Sequence, residues 1–190
     1  MFNRALRFAQ KAHAGQRRKG ADIPYLIHPM EVCTIVATMS TDENLMCAAL
    51  LHDTVEDTPV TMEEIAEHFN ERIVTLVQSE TEDKRDGISK SETWKIRKEE
   101  SLAVLRDTDD LDIKKLWLAD KLSNLRASYR MFNEEGEHFW NRFNQKDPKQ
   151  QEWYYRTIAE YTSELKDYPA WQEYTQYLNY IFKGEYDAID

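Results

Sequence analysis

One histidine and three carboxylates fall within six residues at the end of an apolar stretch, and residues of these types can bind a metal or exchange protons. In the string LMCAALLHDTVEDTP they are His52, Asp53, Glu56 and Asp57. If this stretch is helical, His52 continues its buried apolar face and Asp53 lies beside it, with the other two carboxylates one turn further on. Burying an imidazole among carboxylates is unfavourable unless something neutralises them, and a divalent cation is a suitable partner.

A structural interpretation of the same residues needs no metal. A lone histidine at the end of a core helix is commonly a hydrogen-bonded structural residue, and an aspartate before a threonine is commonly a helix cap. The crowding of four ionisable groups onto one helix end favours a site instead. The spacing also predicts one continuous helix from about Glu43 to Asp57, which Thr58 and Pro59 end.

Two further polar residues occur in positions that suit a site. His28 precedes Pro29, a residue that fits the first turn of a helix, so the imidazole is expected at a helix N-terminal edge. Asp120 has apolar residues one turn before it and polar residues one turn after it, which suits the mouth of a pocket. A surface aspartate paired with Lys115 or Lys121 would give the same pattern, so the helix alone leaves both interpretations open.

The elements that must position these residues are predicted to be helices. The chain has 190 residues with only five glycines and five prolines, and no segment alternates apolar and polar residues as a strand would. Thr61 and Glu64 form a capping-box signature. We therefore expect an all-α fold, with one domain over residues 1–182 and a C-terminal tail over 183–190. Residues 81–91 are polar with a central glycine and are expected to form an exposed loop.

Composition limits the classes of partner. The net charge of −10 makes duplex DNA or long RNA an unsuitable partner, because such binding needs a broad basic face. A small anionic ligand needs only local positive charge, which Arg18 and Lys19 beside Gly20 can supply, although a solvated basic loop is the alternative. The chain has no signal-peptide or membrane-spanning pattern, so we expect a cytoplasmic protein without a membrane partner. Its two cysteines fit buried thiols.

Three strings in a fixed order carry a resemblance to a known family. RRKGADIPYLIHP, ALLHDTVEDT and LADKLSNLR contain the H…HD…D order of the HD-domain phosphohydrolases. Together they resemble the hydrolase domain of RelA/SpoT homologues, and more particularly the stand-alone small alarmone hydrolases. The similarity extends through SETWKIRKEES and the aromatic C-terminal third, so it covers nearly the whole chain.

This resemblance implies a compact all-α HD-domain bundle and a single Mn²⁺ ion. The implied ligands are His28, His52, Asp53 and Asp120. Nitrogen and oxygen ligands without a thiolate are consistent with Mn²⁺, though not unique to it. The implied reaction is hydrolysis of the 3′-pyrophosphate of guanosine tetraphosphate or pentaphosphate, which releases pyrophosphate with GDP or GTP. Glu56 and Asp57 match the family's ED pair, which would orient and deprotonate the attacking water.

The resemblance also implies a set of nucleotide contacts. Arg18 and Lys19 match an RK pair that contacts the base and phosphates, and Asn124 matches a residue expected near the ribose and phosphates. Tyr154 is the expected aromatic contact, with Tyr155 as the alternative. The GADI segment after Lys19 is one residue longer than the usual pattern, which affects the exact base contacts.

Several alternatives stay open at this point. The substrate could be an adenosine alarmone or NADPH, since only the base and ribose contacts would differ. A non-catalytic helical module that binds a nucleotide or a protein is a further alternative, which loss of a ligand or of the ED pair would favour. The length leaves no room for an appended alarmone synthetase, so we expect a hydrolase without an opposing activity. The oligomeric state is not predicted.

Overall fold

The computed structural model describes residues 1–18, 21–83, 85 and 87–183, and these residues form helices joined by loops. Among them no strand forms, and a single β-bridge joins Arg17 to Pro24. The predicted all-α class is therefore confirmed. The α-helices are α1 Phe2–Ala12, α2 Ile27–Ala37, α3 Glu43–Leu51, α4 Thr54–Asp57, α5 Met62–His68, α6 Glu71–Glu80, α7 Trp94–Asp107, α8 Leu111–Glu135, α9 Pro148–Tyr161 and α10 Pro169–Lys183. Short 3₁₀ helices cover Gly136–Arg142 and Ser163–Leu165.

Polar side chains begin many of these helices, because the first backbone N–H groups of a helix lack partners within it. The predicted capping box is present in α5: Thr61 Oγ1 accepts from the backbone of Glu64 at 3.3 Å, and the Glu64 side chain accepts from the backbone of Thr61 at 2.9 Å. Side-chain caps of α3, α6, α8 and α9 come from Asp42, Asn70, Asp110 and Asp147, respectively.

The long helix α8 lies at the centre of the bundle and packs against α2, α3, α6 and α10. Its apolar face is fully buried, with Leu116, Leu118 and Leu122 each 0 % exposed. The same core continues from α1 to α10 through the aromatic side chains of the C-terminal third. Because α8 touches both halves of the chain, polar residues on it can meet residues from α2 and α3. No helix within the described ranges combines the length and apolar character that a membrane span needs.

The prediction of one continuous helix over 43–57 is wrong, since α3 ends at Leu51 and α4 begins at Thr54. Side-chain donors compete for the carbonyls near the break. The His52 Nδ1 atom lies 2.8 Å from the Ala49 carbonyl oxygen, and Thr54 Oγ1 donates to the Leu51 carbonyl oxygen at 2.6 Å. His52 and Asp53 therefore occupy the junction between two short helices.

The loop over 81–91 differs from the expectation most clearly at Glu82. Its described residues after 85 are exposed, but the Glu82 side chain is only 9 % exposed because it forms ion pairs with Arg97 at 2.8 Å and Lys98 at 2.7 Å. The polar composition of this loop therefore did not predict the burial of the Glu82 carboxylate. The tail predicted over 183–190 lies outside the described residues, apart from Lys183 at the end of α10.

Candidate metal centre

Three parts of the bundle bring four predicted residues together. His28 is in the first turn of α2, His52 and Asp53 form the α3–α4 junction, and Asp120 lies in the middle of α8. The two imidazoles are each 2 % exposed and Asp120 is 4 % exposed. Side chains that are far apart in the sequence thus share one buried region.

The distances within this cluster suit a shared cation. His28 Nε2 lies 3.0 Å from Asp120 Oδ1 and 3.4 Å from Asp53 Oδ2. His52 Nε2 lies 3.1 Å from Asp53 Oδ2 and 3.6 Å from Asp120 Oδ1. Within the described part of the chain, the donor atoms of His28, His52 and Asp120 all lie within 4.8 Å of one another, which satisfies the geometry expected of a metal site.

The His52 ring supports a cation at this position. A carbonyl oxygen can only accept, so the contact with Ala49 requires the proton of the neutral ring to be on Nδ1 and the lone pair to be on Nε2. Nε2 is buried and makes no well-directed hydrogen bond to any described residue, although Asp53 Oδ2 is 3.1 Å away. A lone pair facing a carboxylate oxygen is unfavourable without a positive charge between them. Two imidazoles and two carboxylates are a suitable donor set for a divalent metal ion.

The electrostatics keep both carboxylates ionised. Burial opposes the ionisation of Asp53, but His52 and His28 outweigh it and hold its pKa well below the usual range. Burial acts in the same way on Asp120, and Lys121 with the two histidines holds its pKa well below the usual range. Burial alone would lower the pKa of His52, but Asp53 and Asp120 raise it well above its ordinary value. A metal ion must therefore displace protons from this cluster when it binds.

Two further residues contact the carboxylates of the cluster: Tyr25, which the sequence analysis missed, and Lys121, which it named only as a surface partner of Asp120. Tyr25 Oη lies 2.6 Å from Asp53 Oδ2 and 3.0 Å from Asp57 Oδ2, as a hydroxyl donor between two carboxylates. Lys121 pairs with Asp120 Oδ2 and lies 3.5 Å from Glu80. Tyr25 precedes His28 by three residues, which is the only local signal for its position. Nothing local to Lys121 distinguished it from a solvated lysine.

The predicted ED pair lies at the edge of the cluster on α4. Glu56 is half-buried and lines a polar cavity of about 140 Å³ together with Glu82 and Lys98. Burial, followed by the carboxylates of Asp53 and Glu82, raises the pKa of Glu56 to about 7. Asp57 is more exposed and faces a second cavity on the other side of Tyr25.

This second cavity is larger and has mainly apolar walls. Its volume is about 290 Å³, and it shares Arg18, Tyr25 and Asn124 with the polar cavity. Arg18 Nη2 donates to Asn124 Oδ1 at 2.8 Å, and Asn124 Nδ2 donates to Asp120 Oδ1 at 2.9 Å. A hydrogen-bonded chain therefore links the predicted nucleotide contacts to the metal cluster. An anion in the polar cavity and an aromatic ring in the larger one could bind side by side.

The aromatic contact named from the sequence is not at this cavity. Tyr154 is 3 % exposed, and its ring lies against Lys98 Nζ at 4.8 Å and does not line the cavity. Tyr155 does line it, and so do Arg142 and Phe143, which the sequence analysis did not single out. Lys19, the other predicted nucleotide contact, lies outside the described residues.

Comparison with known sequences identifies relatives over most of this region. A sequence profile described as HD domain matches residues 5–147. A guanosine-3′,5′-bis(diphosphate) 3′-pyrophosphohydrolase of Aquifex aeolicus is 37 % identical over 134 residues, which are 70 % of this chain and 18 % of the relative. A protein named GTP pyrophosphokinase rsh from Brucella ovis is 38 % identical over 130 residues, 67 % of this chain and 17 % of the relative. The chain thus spans less than a fifth of the length of these curated relatives.

Comparison with solved structures extends the similarity to nearly the whole chain. A Listeria monocytogenes protein is 31 % identical with a TM-score of 0.71, over 84 % of this chain and 96 % of that protein. A structure described as a metazoan ortholog of SpoT that hydrolyses ppGpp is 28 % identical with a TM-score of 0.72. That alignment covers 96 % of this chain and 94 % of the other.

Proposed function

The chain belongs to the HD domain family, as its motifs predicted, and we propose that it hydrolyses the 3′-pyrophosphate of guanosine tetraphosphate and pentaphosphate, releasing pyrophosphate with GDP or GTP. The observation that carries this proposal is the cluster of His28, His52, Asp53 and Asp120 beside two adjoining cavities. The relatives named as 3′-pyrophosphohydrolases and the ppGpp-hydrolysing metazoan protein support the choice of substrate.

We propose Mn²⁺ as the metal, bound by the two histidines and two aspartates of the cluster. When bound, a divalent ion supplies a Lewis acid for the phosphoryl group and lowers the pKa of water. The chain's own contribution is to fix the donor atoms. Lys121 pairs with the Asp120 oxygen that faces away from the histidines, and Tyr25 donates to the Asp53 oxygen that faces them, so both carboxylates have a fixed direction.

We assign proton transfer to the ED pair. Glu56 lies beside the cluster, and a carboxylate with a pKa raised to about 7 can accept a proton from water near neutral pH. Asp57 shares the Tyr25 hydroxyl with Asp53, so its carboxylate has a fixed direction relative to the cluster. We therefore assign Glu56 as the general base and Asp57 as the residue that orients the attacking water.

The nucleotide is proposed to lie across the two cavities. Its 3′-pyrophosphate would bind in the polar cavity, where Lys98 and Arg18 supply positive charge. The nucleoside would occupy the larger cavity, in contact with Asn124 and with Tyr155 in place of Tyr154. Lys19 stays a predicted contact from the RK pair.

A panel of nucleotides tests the substrate. Guanosine tetraphosphate, guanosine pentaphosphate, the adenosine tetraphosphate analogue and NADPH would be assayed side by side with Mn²⁺, with Asp120→Asn as the matched inactive variant. We expect the guanosine compounds to give the highest kcat/KM and to release pyrophosphate. NADPH carries a 2′-phosphate monoester, so its turnover would release orthophosphate.

Other outcomes of this panel would favour a different substrate or a non-catalytic protein. Preference for the adenosine compound or for NADPH would retain the HD-type phosphohydrolase and replace the guanosine substrate. Nucleotide binding without any turnover, in protein that retains its metal, would favour the non-catalytic module.

A further inference from the structure

We propose that Ser123 and Glu31 are positioning residues for His28, and that they present its Nε2 lone pair to the metal through a hydrogen-bonded relay anchored by Arg126. The inference rests on the proposed function only in assigning His28 as a metal ligand. Its test uses metal affinity, which is measured without any nucleotide.

The relay begins at the buried side of the His28 ring. His28 Nδ1 lies 2.8 Å from Ser123 Oγ, and Ser123 Oγ donates to Glu31 Oε2 at 2.7 Å. A hydroxyl has one proton, and an ionised carboxylate can only accept, so Ser123 must give its proton to Glu31. Ser123 then has only lone pairs to offer to His28. The neutral imidazole must therefore hold its proton on Nδ1 and its lone pair on Nε2, which faces Asp53 and Asp120.

The other oxygen of Glu31 fixes the carboxylate itself. Glu31 Oε1 accepts from Arg126 Nη1 at 3.1 Å, and Arg126 makes a bidentate pair with Glu173 on α10, with both distances 2.7 Å. Arg126 thus joins a carboxylate of α2 to a carboxylate of α10 from its position on α8. A carboxylate held at both oxygens has a defined orientation, and this orientation passes through Ser123 to the ring.

The two histidines of the cluster are therefore oriented by different partners. The His52 ring is oriented by the hydrogen bond of its Nδ1 atom to the neutral carbonyl of Ala49. His28 uses a hydroxyl backed by a carboxylate, the kind of partner that fixes the tautomer and raises the basicity of a metal-binding histidine. Ser123 is 0 % exposed and His28 is 2 % exposed, so the hydroxyl and the ring are buried together. Loss of the relay should consequently weaken metal binding, although none of its members touches the metal.

The experiment measures the Mn²⁺ dissociation constant of the full chain by calorimetry, together with the thermal stability of the metal-free protein. We expect Ser123→Ala and Glu31→Ala each to weaken Mn²⁺ binding about tenfold. Glu31→Gln, whose amide oxygen can still accept from Ser123, should lose less. Because the two residues act in series, the double variant Ser123→Ala with Glu31→Ala should bind Mn²⁺ no more weakly than the weaker single variant.

Glu173→Gln is the matched control, since it breaks the Arg126 pair on the side away from the metal. It should lower thermal stability while Mn²⁺ affinity stays within about twofold of the native value. Native affinity in Ser123→Ala and Glu31→Ala, or additive losses in the double variant, would overturn the relay. If either of these results is found while the unmodified protein hydrolyses guanosine tetraphosphate, the relay is wrong and the proposed function stands. Absence of Mn²⁺ binding in the unmodified protein would remove its premise along with the proposed function.

Discussion

At the scale of residues, the site separates groups that face the cation position from groups that lie beside it. His28, His52, Asp53 and Asp120 direct nitrogen or oxygen atoms into one buried space, whereas Glu56 lines the adjoining polar cavity. This separation implies a division of labour between metal binding and proton transfer.

The division can be tested with two substitutions. Asp53→Ala removes a ligand, so we expect it to abolish both stoichiometric Mn²⁺ binding and turnover. Glu56→Ala should retain Mn²⁺ while kcat falls about 10²- to 10⁴-fold, the usual contribution of a general base. Metal content after gel filtration and single-turnover rates would be measured on the same samples. Equal loss of metal in both variants would refute the assignment.

The pKa of Glu56 predicts the pH dependence of the reaction. Burial, Asp53 and Glu82 raise that pKa to about 7, and only the ionised carboxylate can accept a proton. The kcat/KM should therefore rise with increasing pH, with the midpoint of the rise at or below about pH 7, because a bound cation lowers the pKa again. Glu56→Gln should remove this acidic limb from the profile. If the limb persists unchanged in that variant, another group is the base.

The sequence was sufficient to predict some of these residues and not others. The HD pair and the ED pair are close in the sequence, so their spacing alone predicts that they lie near one another. Tyr25 and Ser123 carry no such signal, because Tyr25 reaches Asp53, and Ser123 reaches His28, only when the chain folds. Tyr154 and Tyr155 are neighbours in the sequence, and only the packing of α9 determines which of them lines the cavity.

At the scale of elements, the break between α3 and α4 places His52 and Asp53 toward the cluster. Apolar periodicity predicts the helix well as far as Leu51, because burial fixes that face. It does not predict the break, which depends on the hydrogen bonds of His52 and Thr54 to nearby carbonyls. Glu82 was missed for a related reason, since its ion pairs with α7 are tertiary contacts.

The break can be tested through Thr54, which is 0 % exposed. Thr54→Val keeps the shape of the side chain but removes the hydroxyl that donates to Leu51, and should lower the free energy of unfolding by about 1 kcal/mol. Because the junction holds two proposed ligands, Mn²⁺ affinity should fall as well. Thr61→Ala is the control: it removes the cap of α5 at a similar cost of about 1 kcal/mol, and should leave Mn²⁺ affinity unchanged. Equal Mn²⁺ affinities in the two variants would argue against a role for the break.

At the scale of the whole molecule, the proposed metal joins α2, the α3–α4 junction and α8, which are distant in the sequence. A metal that binds only the folded chain stabilises it by mass action, by about 2.7 kcal/mol at a concentration 100 times its dissociation constant. We therefore expect Mn²⁺ to raise the unfolding midpoint by several degrees, and Asp53→Ala to abolish this shift. A Mn²⁺-induced shift of the same size in Asp53→Ala would place the metal elsewhere.

The charge of the whole chain is consistent with a small anionic ligand. The net charge is −10, yet Arg18, Lys98 and Lys121 lie around the polar cavity. Asp53, Glu56, Glu80, Glu82 and Asp120 line the same cavity, so a pyrophosphate group would bind there together with the proposed metal ion. Net charge could be read from the sequence, but the convergence of the three basic side chains depends on the packing of the helices that hold them.

The most direct test of the central claim is pyrophosphate release from guanosine tetraphosphate by the purified protein, with added Mn²⁺ and with a chelator. We predict release with GDP as the second product, its loss in the chelator, and its recovery when Mn²⁺ is restored. No release by protein that has bound Mn²⁺ would contradict the proposed substrate, and release that persists in the chelator would contradict the proposed metal centre.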